Sequence, residues 1–220
     1  MVMVMLLRYQ TTYKGGLAEI TEKKSRFIAE TFPVLSEEEA VGQIEKIRKK
    51  HWNAAHNCFA YVIGDNFEIQ RYSDDGEPGG TAGKPILDVL MGQELHDTLI
   101  IVTRYFGGTL LGTGGLVRAY SAAAKAGLAA STIITKIYGT KLKIETDYNG
   151  LGKIQYILGQ RGIKTSQIDY SDVVRIEVLV SQSEEESVVA EIIEKTYGQT
   201  EIEKVEKCFF AEVEGEIQIY

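Results

Sequence analysis

The sequence predicts an α+β protein of two domains, and three observations support this prediction. From residue 138 onward, strand and helix patterns follow the order βαββαβ, which is ferredoxin-like. Residues 73–128 instead place a buried strand between two glycine-rich loops and end in an alanine-rich helix. The charges are also unevenly distributed between the two parts of the chain. Residues 1–137 hold 15 basic and 15 acidic side chains, whereas residues 138–220 hold 9 basic and 16 acidic ones. We therefore expect domains at residues 1–135 and 138–220.

The composition is that of a soluble globular protein, with 220 residues and a net charge of −7. Nucleic-acid-binding proteins usually carry a basic surface, which the acidic second half cannot supply, so RNA affinity is expected to be modest and salt-sensitive. The two cysteines lie far apart in sequence, as a reducing cytoplasm permits, and offer no metal site. The apolar run at residues 1–7 is too short to span a membrane and lacks signal-peptide features. We expect a first strand there, and a cytoplasmic protein without membrane contact.

Glycine turns and alternating side chains predict the first strands. Residues 14–16, Lys-Gly-Gly, form the turn of a predicted hairpin. The cations that follow, Lys23, Lys24 and Arg26, form a basic cluster, and such clusters are usually solvated. The predicted elements up to the acidic loop are strands at 5–13, 17–21 and 27–32, a helix at 36–51, and strands at 56–62 and 68–72.

The helix at residues 36–51 is predicted to begin with a capping box, because Ser36 is followed three residues later by Glu39. In the next strand, His56 and Cys58 point the same way. No third group is evident that would orient a thiol–imidazole pair, so Cys58 is predicted to be a small buried core residue. His56 lies near the acidic loop and is expected to line a site.

The second half of the central stretch predicts an anion site. An apolar strand at residues 99–103 is expected to be covered on both faces. After it, the turn at Gly107 and Gly108 leads to a second glycine loop and a helix at residues 116–130 with Thr113 as its N-cap. Free amides at a helix N-terminus suit a phosphate or carboxylate, and Arg104 would add a charged donor. The alternative is a tight strand-to-helix connection with solvated cations.

The first half of the central stretch is an acidic loop. Asp74, Asp75 and Glu77 either hold a divalent cation or accept hydrogen bonds from the amides of their own loop, and no further ligand spacing supports a metal. A phosphate-binding P-loop is excluded because prolines replace its first glycine and its hydroxyl residue, and a dinucleotide fingerprint lacks its third glycine. We expect no cofactor. Pro85 is predicted to open a short helix at residues 86–91 that ends at Gly92.

The second domain follows a predicted crossing at residues 131–138. Its predicted elements are strands at 140–146, 163–170 and 173–180, a last strand or strand pair at 200–213, and helices at 149–160 and 183–197.

Five motifs resemble those of the YigZ/IMPACT family. Residues 73–85 read SDDGEPGGTAGKP, residues 102–108 read VTRYFGG, and residues 112–124 read GTGGLVRAYSAAA. Upstream, residues 23–29 read KKSRFIA and residues 55–61 read AHNCFAY. The resemblance covers the whole chain in its two-domain bacterial form. It implies an N-terminal domain like domain 2 of ribosomal protein S5 and a ferredoxin-like C-terminal domain like the last domain of elongation factor G.

The resemblance also implies a partner. Eukaryotic relatives are linked to translation control under stress through a ribosome-associated activator of a kinase, and bacterial members to a nucleic-acid or ribosome role. We therefore predict a non-catalytic cytoplasmic regulator that binds RNA, the ribosome or a translation-associated protein. The predicted anion-binding residues are Lys84, Arg104, Gly107, Gly108, Gly112, Thr113, Gly114, Gly115, Arg118 and Lys125. The predicted site-lining residues are His56, Ser73, Asp74, Asp75, Glu77 and Thr81.

Two other functions stay open at the level of sequence. The S5-like fold is shared with small-molecule kinases, and in such an enzyme Asp74, Asp75 or Glu77 would place magnesium or act as base, with Lys84 or Arg104 steadying phosphate charge. The second open function is that of a protein–protein adaptor, in which the glycine motif would serve only to shape the fold. For RNA binding, the aromatic side chains near the cations are candidates to stack on bases. These are Tyr72, Tyr105, Phe106 and Tyr120.

Overall fold

The computed structural model describes residues 6–220, so the part of the predicted first strand at residues 1–5 lies outside the described residues. The chain divides between Ile134 and Thr135 into two compact units. Strands and helices are mixed in both units, and the α+β prediction is confirmed. Among residues 6–220, no helix is long and apolar enough to cross a bilayer.

The N-terminal unit combines short strands with three helices. In chain order its elements are β1 (Arg8–Lys14), β2 (Leu17–Glu22), β3 (Ser25–Pro33), α1 (Glu37–Lys50), β4 (His56–Ile63), β5 (Ile69–Ser73), α2 (Gly83–Gly92), β6 (Leu95–His96), β7 (Thr98–Tyr105) and α3 (Thr113–Ala129).

Strand β7 is the centre of a five-stranded sheet with the order β2-β3-β7-β4-β5, in which every neighbouring pair is antiparallel. Successive side chains of a strand point to opposite faces. Ile100 and Val102 therefore pack with α2 and α3, whereas Leu99 and Ile101 pack with α1 on the other face. The prediction that this apolar strand is covered on both faces is confirmed.

The alanine-rich helix α3 lies very close to the sheet. Ala119, Ala123 and Ala124 are buried. A Cβ atom added to Gly127 would come within 2.9 Å of the Cβ of Ala29 on β3, so only glycine fits there without a shift of the backbone. Small side chains along α3 thus allow the close packing that fixes its N-terminus beside the sheet.

The hairpin predicted around residues 14–16 is wrong. β1 pairs in parallel with the two residues of β6, and β2 pairs with β3 instead. The two glycines serve close backbone approach, because a Cβ on Gly15 would overlap the carbonyl oxygen of Thr31 and one on Gly16 would overlap the backbone of Ala130. A glycine used for close approach looks the same in sequence as one used for a turn.

Helix α1 begins as predicted. The Ser36 hydroxyl accepts a hydrogen bond from the Glu39 amide at 3.2 Å, and the Glu39 carboxylate accepts one from the Leu35 amide at 2.7 Å. The Ser36 hydroxyl therefore caps the first turn as predicted. The return bond of Glu39 goes to Leu35, one residue before the N-cap, so only half of the predicted capping box is formed.

The C-terminal unit has the predicted βαββαβ order with one further strand. Its elements are β8 (Thr132–Thr146), which carries the chain out of the first unit, α4 (Tyr148–Gln160), β9 (Thr165–Tyr170), β10 (Val174–Ser181), α5 (Glu185–Lys195), β11 (Glu201–Val213) and β12 (Glu216–Ile219).

The sheet of the C-terminal unit is antiparallel throughout. Its neighbours are β9 with β10, β10 with β8, β8 with β11, and β11 with β12. Residues of β8 and β10 pack with α4 and α5 in one apolar core that includes Ile144, Ile154, Val178 and Ile192. The boundary between the two units falls within the predicted crossing at residues 131–138, and most of this segment is the first part of β8.

Candidate functional site

The first glycine turn lies against the turn that joins β2 to β3. The Gly107 amide donates a hydrogen bond to the Ser25 hydroxyl at 3.1 Å. A Cβ on Gly107 would overlap the carbonyl carbon of Lys24, so the close contact requires glycine. Gly108 follows with φ of +79° and open space around its Cα. The sequence motifs at residues 23–29 and 102–108 therefore meet at this point.

The β2–β3 turn presents two lysines to solvent. Lys23 and Lys24 both have positive φ, 44° and 68°, which matches the type I′ geometry of a two-residue hairpin. Both side chains are exposed. Among residues 6–220, no ion pair involves either of them.

The second glycine loop starts α3 without a side-chain cap. Gly112 is the N-cap residue with φ of +73°, and no side chain bonds to the first amides. Thr113 is the first helical residue, so its prediction as the N-cap is wrong. A left-handed N-cap position favours glycine, which explains why the hydroxyl residue stands one place later. The amides of residues 113–115 are left free to bind an anion.

Arg118 and Lys23 border a shallow groove at this helix end. The groove has a volume of about 240 Å³ and is also lined by Leu111 and Gly115. Arg118 is exposed and, among the described residues, forms no ion pair. We call the surface formed by Lys23, Lys24, Arg118 and the amides of residues 113–115 the glycine-turn face.

Arg104 does not belong to the glycine-turn face. It is 5% exposed, its guanidinium pairs with Glu77 at 2.6 Å, and it contacts the Ser25 hydroxyl at 3.3 Å. The prediction of Arg104 as a free anion-binding cation conflicts with this geometry. The physical reason is that the alternation of β7 directs position 104 beneath α3, where a buried carboxylate meets it.

Glu77 is the centre of a buried polar cluster. Besides Arg104, its Oε1 accepts a hydrogen bond from the Tyr120 hydroxyl at 2.7 Å, and His56 Nε2 lies 3.8 Å from it. His56 Nδ1 contacts the Asp75 carbonyl at 2.9 Å. Four motifs that are far apart in sequence therefore converge on one carboxylate. This cluster holds the acidic loop, the end of β7 and α3 together.

The carboxylates of Asp74 and Asp75 already accept hydrogen bonds from neighbouring groups of the protein. Asp74 accepts hydrogen bonds at 2.8–2.9 Å from three amides, those of Gly80, Ala82 and Gly83. Because two of these amides belong to the start of α2, the helix begins at Gly83, and the prediction that Pro85 opens it is wrong.

The other residues of the acidic loop are also engaged. Asp75 pairs with Arg48 at 2.7 Å and accepts from the Asn57 amide at 2.7 Å. The Ser73 hydroxyl accepts from the Asp75 amide, and the Thr81 hydroxyl donates to the Pro78 carbonyl. Within residues 6–220, no three His, Cys, Asp or Glu side chains are grouped so as to hold a metal ion. Asp74 thus follows the second of the two sequence alternatives, hydrogen bonding to amides of its own loop, whereas Asp75 and Glu77 bond to groups of other elements.

Lys84 and Lys125 are not part of the glycine-turn face. Lys84 forms an ion pair with Asp88 one turn further along α2. Lys125 is exposed on α3, but it lines neither the groove beside Arg118 nor the cleft described next.

A cleft of about 500 Å³ lies on the other side of the α3 N-terminus from the groove. Its polar floor is formed by His56, Glu77 and Arg104. The rest of its lining consists of Ala55, Pro78, Phe106, Leu110, Leu111, Gly112, Thr113 and Leu116. Leu111 lines both depressions. The glycine-turn face and the cleft are therefore adjacent parts of one surface.

The four aromatic residues that were candidates to stack on bases differ in their exposure to solvent. Phe106 is 52% exposed and lines the cleft, and Tyr72 is exposed on β5. Tyr120 is completely buried, and the Tyr105 hydroxyl contacts His51. Tyr120 is therefore a core residue, and its hydroxyl donates a hydrogen bond to Glu77.

The Cys58 thiol is expected to be unreactive in the folded protein. Burial raises its pKa, and the neighbouring carboxylate of Glu77 acts in the same direction. Burial also raises the pKa of Cys208. Because the thiolate is the reactive form, neither thiol should react readily with a disulfide reagent at neutral pH, whereas both should react after unfolding in guanidinium chloride. Rapid stoichiometric labelling of the native protein would contradict this assignment.

Sequence reasoning did not place Lys23 and Lys24 beside the glycine turn. Their motif was visible, but charge clusters are usually solvated and nothing in sequence showed that this turn would lie against Gly107. The sequence offered one indication, because residues 23–29 and the glycine loops all belong to the five motifs that resemble the same family.

Comparison with known proteins identifies the family. The model described as Impact N-terminal domain matches residues 23–128, and the model described as a domain of unknown function, DUF1949, matches residues 144–199. The chain is 41% identical to IMPACT family member YvyE of Bacillus subtilis (strain 168), over 97% of this chain and 99% of that relative. This chain belongs to the IMPACT family.

Other relatives agree with this family assignment. IMPACT family member YigZ of Escherichia coli (strain K12) is 36% identical over 84% of this chain and 92% of its own length. A crystal structure described as that of a hypothetical protein superposes with a TM-score of 0.58 at 33% identity, covering 91% of this chain and 98% of that one. The two-domain IMPACT architecture thus extends over nearly the whole chain.

Proposed function

We propose that this IMPACT-family chain is a non-catalytic regulator associated with translation, which binds RNA phosphates on the glycine-turn face. The link to translation is carried by the family resemblance, in which eukaryotic members act in translation control. The mode of binding is argued from the geometry of the N-terminal unit.

The observation that carries the proposal is the meeting of unpaired cations with free amides. Lys23, Lys24 and Arg118 are exposed without an ion pair among the described residues, and Lys23 and Arg118 line one groove with Glu22 and with Gly115 of the uncapped start of α3. Other cations of the same unit are neutralised by carboxylates. These are Arg26, Arg48, Lys50, Arg71, Lys84 and Arg104. Positive charge and helix dipole together favour a phosphate.

The overall charge sets the strength of the interaction. The protein carries a net charge of −7, all of it from residues beyond 137. A small basic surface on an acidic protein neutralises few phosphates, so binding should be modest and should weaken steeply as salt is raised.

The geometry supports the phosphate-transfer alternative less well. That mechanism needs a carboxylate available for magnesium or for a substrate proton. Asp74 is surrounded by backbone amides, Asp75 is held by Arg48, and Glu77 is held by Arg104 and Tyr120. Each of these acids already has a structural role.

The test is RNA affinity measured by fluorescence anisotropy with a labelled single strand. Replacing Lys23, Lys24 and Arg118 by alanine together should weaken binding at about 50 mM salt by at least about tenfold, because each lost cation removes a phosphate contact. The matched control replaces three other exposed lysines that form no ion pair within residues 6–220, Lys14, Lys46 and Lys49, and changes the net charge equally. Equal losses in the two variants, or no RNA binding by the wild type at low salt, would contradict the proposal.

A further inference from the structure

The cleft beside the glycine-turn face has the size of a small-ligand site. Its volume of about 500 Å³ lies within the range of pockets that hold organic ligands in proteins. Gly112 and Thr113 line it, so the free amides of α3 stand at its mouth. A ligand with a phosphate on those amides would project its remainder into the cleft.

Two features of the cleft indicate that something enters it. Phe106 is 52% exposed and Leu110 is 83% exposed, and both are large apolar side chains that line the cleft. On the floor, Arg104 is 95% buried, and its Nε has no hydrogen-bond partner among the described residues. Buried donors are nearly always paired, so the protein does not fully satisfy this guanidinium, which lies with its Cζ 5.5 Å from the Phe106 ring centroid.

We infer that the cleft receives an unpaired nucleobase of the RNA whose phosphates lie on the glycine-turn face, an inference that rests on the proposed function. The base stacks on Phe106, and its polar edge faces the floor formed by His56, Glu77 and Arg104. The adjoining phosphate lies on the amides of residues 113–115. The protein thus prefers single-stranded RNA, since a paired base cannot enter.

The chemistry of the floor favours a base over an acidic protein segment. Glu77 and Arg104 both line the cleft and neutralise each other, so this pair offers no net positive charge to attract the side chain of a glutamate or aspartate. A nucleobase is neutral and carries both donors and acceptors on its edge. It can therefore face a carboxylate and a guanidinium together, and its flat surface suits an exposed aromatic ring.

The experiment compares two probes, a short oligoadenylate and an oligomer of equal length in which every base is replaced by an abasic site. Both carry the same phosphates, so only the bases differ. Wild-type protein should bind the base-bearing strand at least about tenfold more tightly, as stacking of a base on an aromatic side chain predicts. Phe106→Ala should remove most of that difference. Trp52→Ala, which alters an exposed aromatic residue outside the cleft lining, should keep it.

The outcomes separate this inference from the proposed function. If the wild type binds both oligomers equally, the cleft takes no base, while phosphate binding on the glycine-turn face stands. If it binds neither at low salt, the proposed function fails and the inference with it. If a polyglutamate peptide binds as tightly as oligoadenylate, the ligand is an acidic protein segment and the inference is overturned. The abasic comparison on wild-type protein decides the matter even if Phe106→Ala does not fold.

Discussion

Replacing Glu77 by alanine is expected to lower the free energy of unfolding of the N-terminal unit by about 3–5 kcal/mol. The Glu77 side chain is almost completely buried, and it pairs with the equally buried guanidinium of Arg104 at 2.6 Å. Its removal would leave that positive charge without a partner in the core. It would also leave the Tyr120 hydroxyl, which donates to the same oxygen, unsatisfied.

Urea unfolding followed by circular dichroism measures this effect, and Glu19→Ala is the matched control. Glu19 also pairs with an arginine, Arg26 at 2.8 Å, but both side chains are exposed. Surface ion pairs contribute about 0–1 kcal/mol, so the control should change the free energy of unfolding little. If Glu77→Ala destabilises the protein no more than Glu19→Ala does, the carboxylate is not the centre of the polar cluster.

Replacing Gly107 by alanine is expected to destabilise the protein by about 1–3 kcal/mol and to weaken RNA binding at the same time. The added Cβ would overlap the main chain of Lys24, and main-chain atoms cannot move aside as the end of a side chain can. Relief of the clash must displace the β2–β3 turn, which carries two of the three cations of the glycine-turn face.

Gly79→Ala is the control for this substitution. Gly79 lies in open space without a positive φ, so alanine fits there and should leave stability and RNA affinity close to those of the wild type. Thermal unfolding and anisotropy report the two effects separately. A Gly107→Ala protein with wild-type stability and affinity would show that the contact between the two turns has no consequence.

The sequence predicted the parts of the fold whose information is local. The βαββαβ order of the second unit and the two-sided burial of β7 follow from side-chain periodicity within single segments. The pairing of β1 was missed because its partner, β6, contributes two residues some 80 positions away, as between Gln10 and Leu95. No pattern in either segment predicts a strand pairing of only two residues.

The candidate site was located from its glycines, but its charges were assigned less well. Arg118 is exposed near the N-terminal end of α3, the helix that the sequence predicted there. Arg104 was misjudged because its role depends on Glu77, an acid on another loop that only the folded chain brings near. The position of Lys23 and Lys24 was not predicted because their left-handed turn is one that non-glycine residues rarely adopt, which sequence does not reveal.

The salt dependence of RNA affinity tests the glycine-turn face most directly. For a single strand, the slope of log affinity against log salt changes by about 0.7 for each phosphate contact. The variant with alanine at Lys23, Lys24 and Arg118 should therefore lose about 2 in slope, while the variant with alanine at Lys14, Lys46 and Lys49 keeps the wild-type slope. A wild-type slope in the first variant, or an equal loss in both, would show that phosphates do not bind where the cations and the free amides meet.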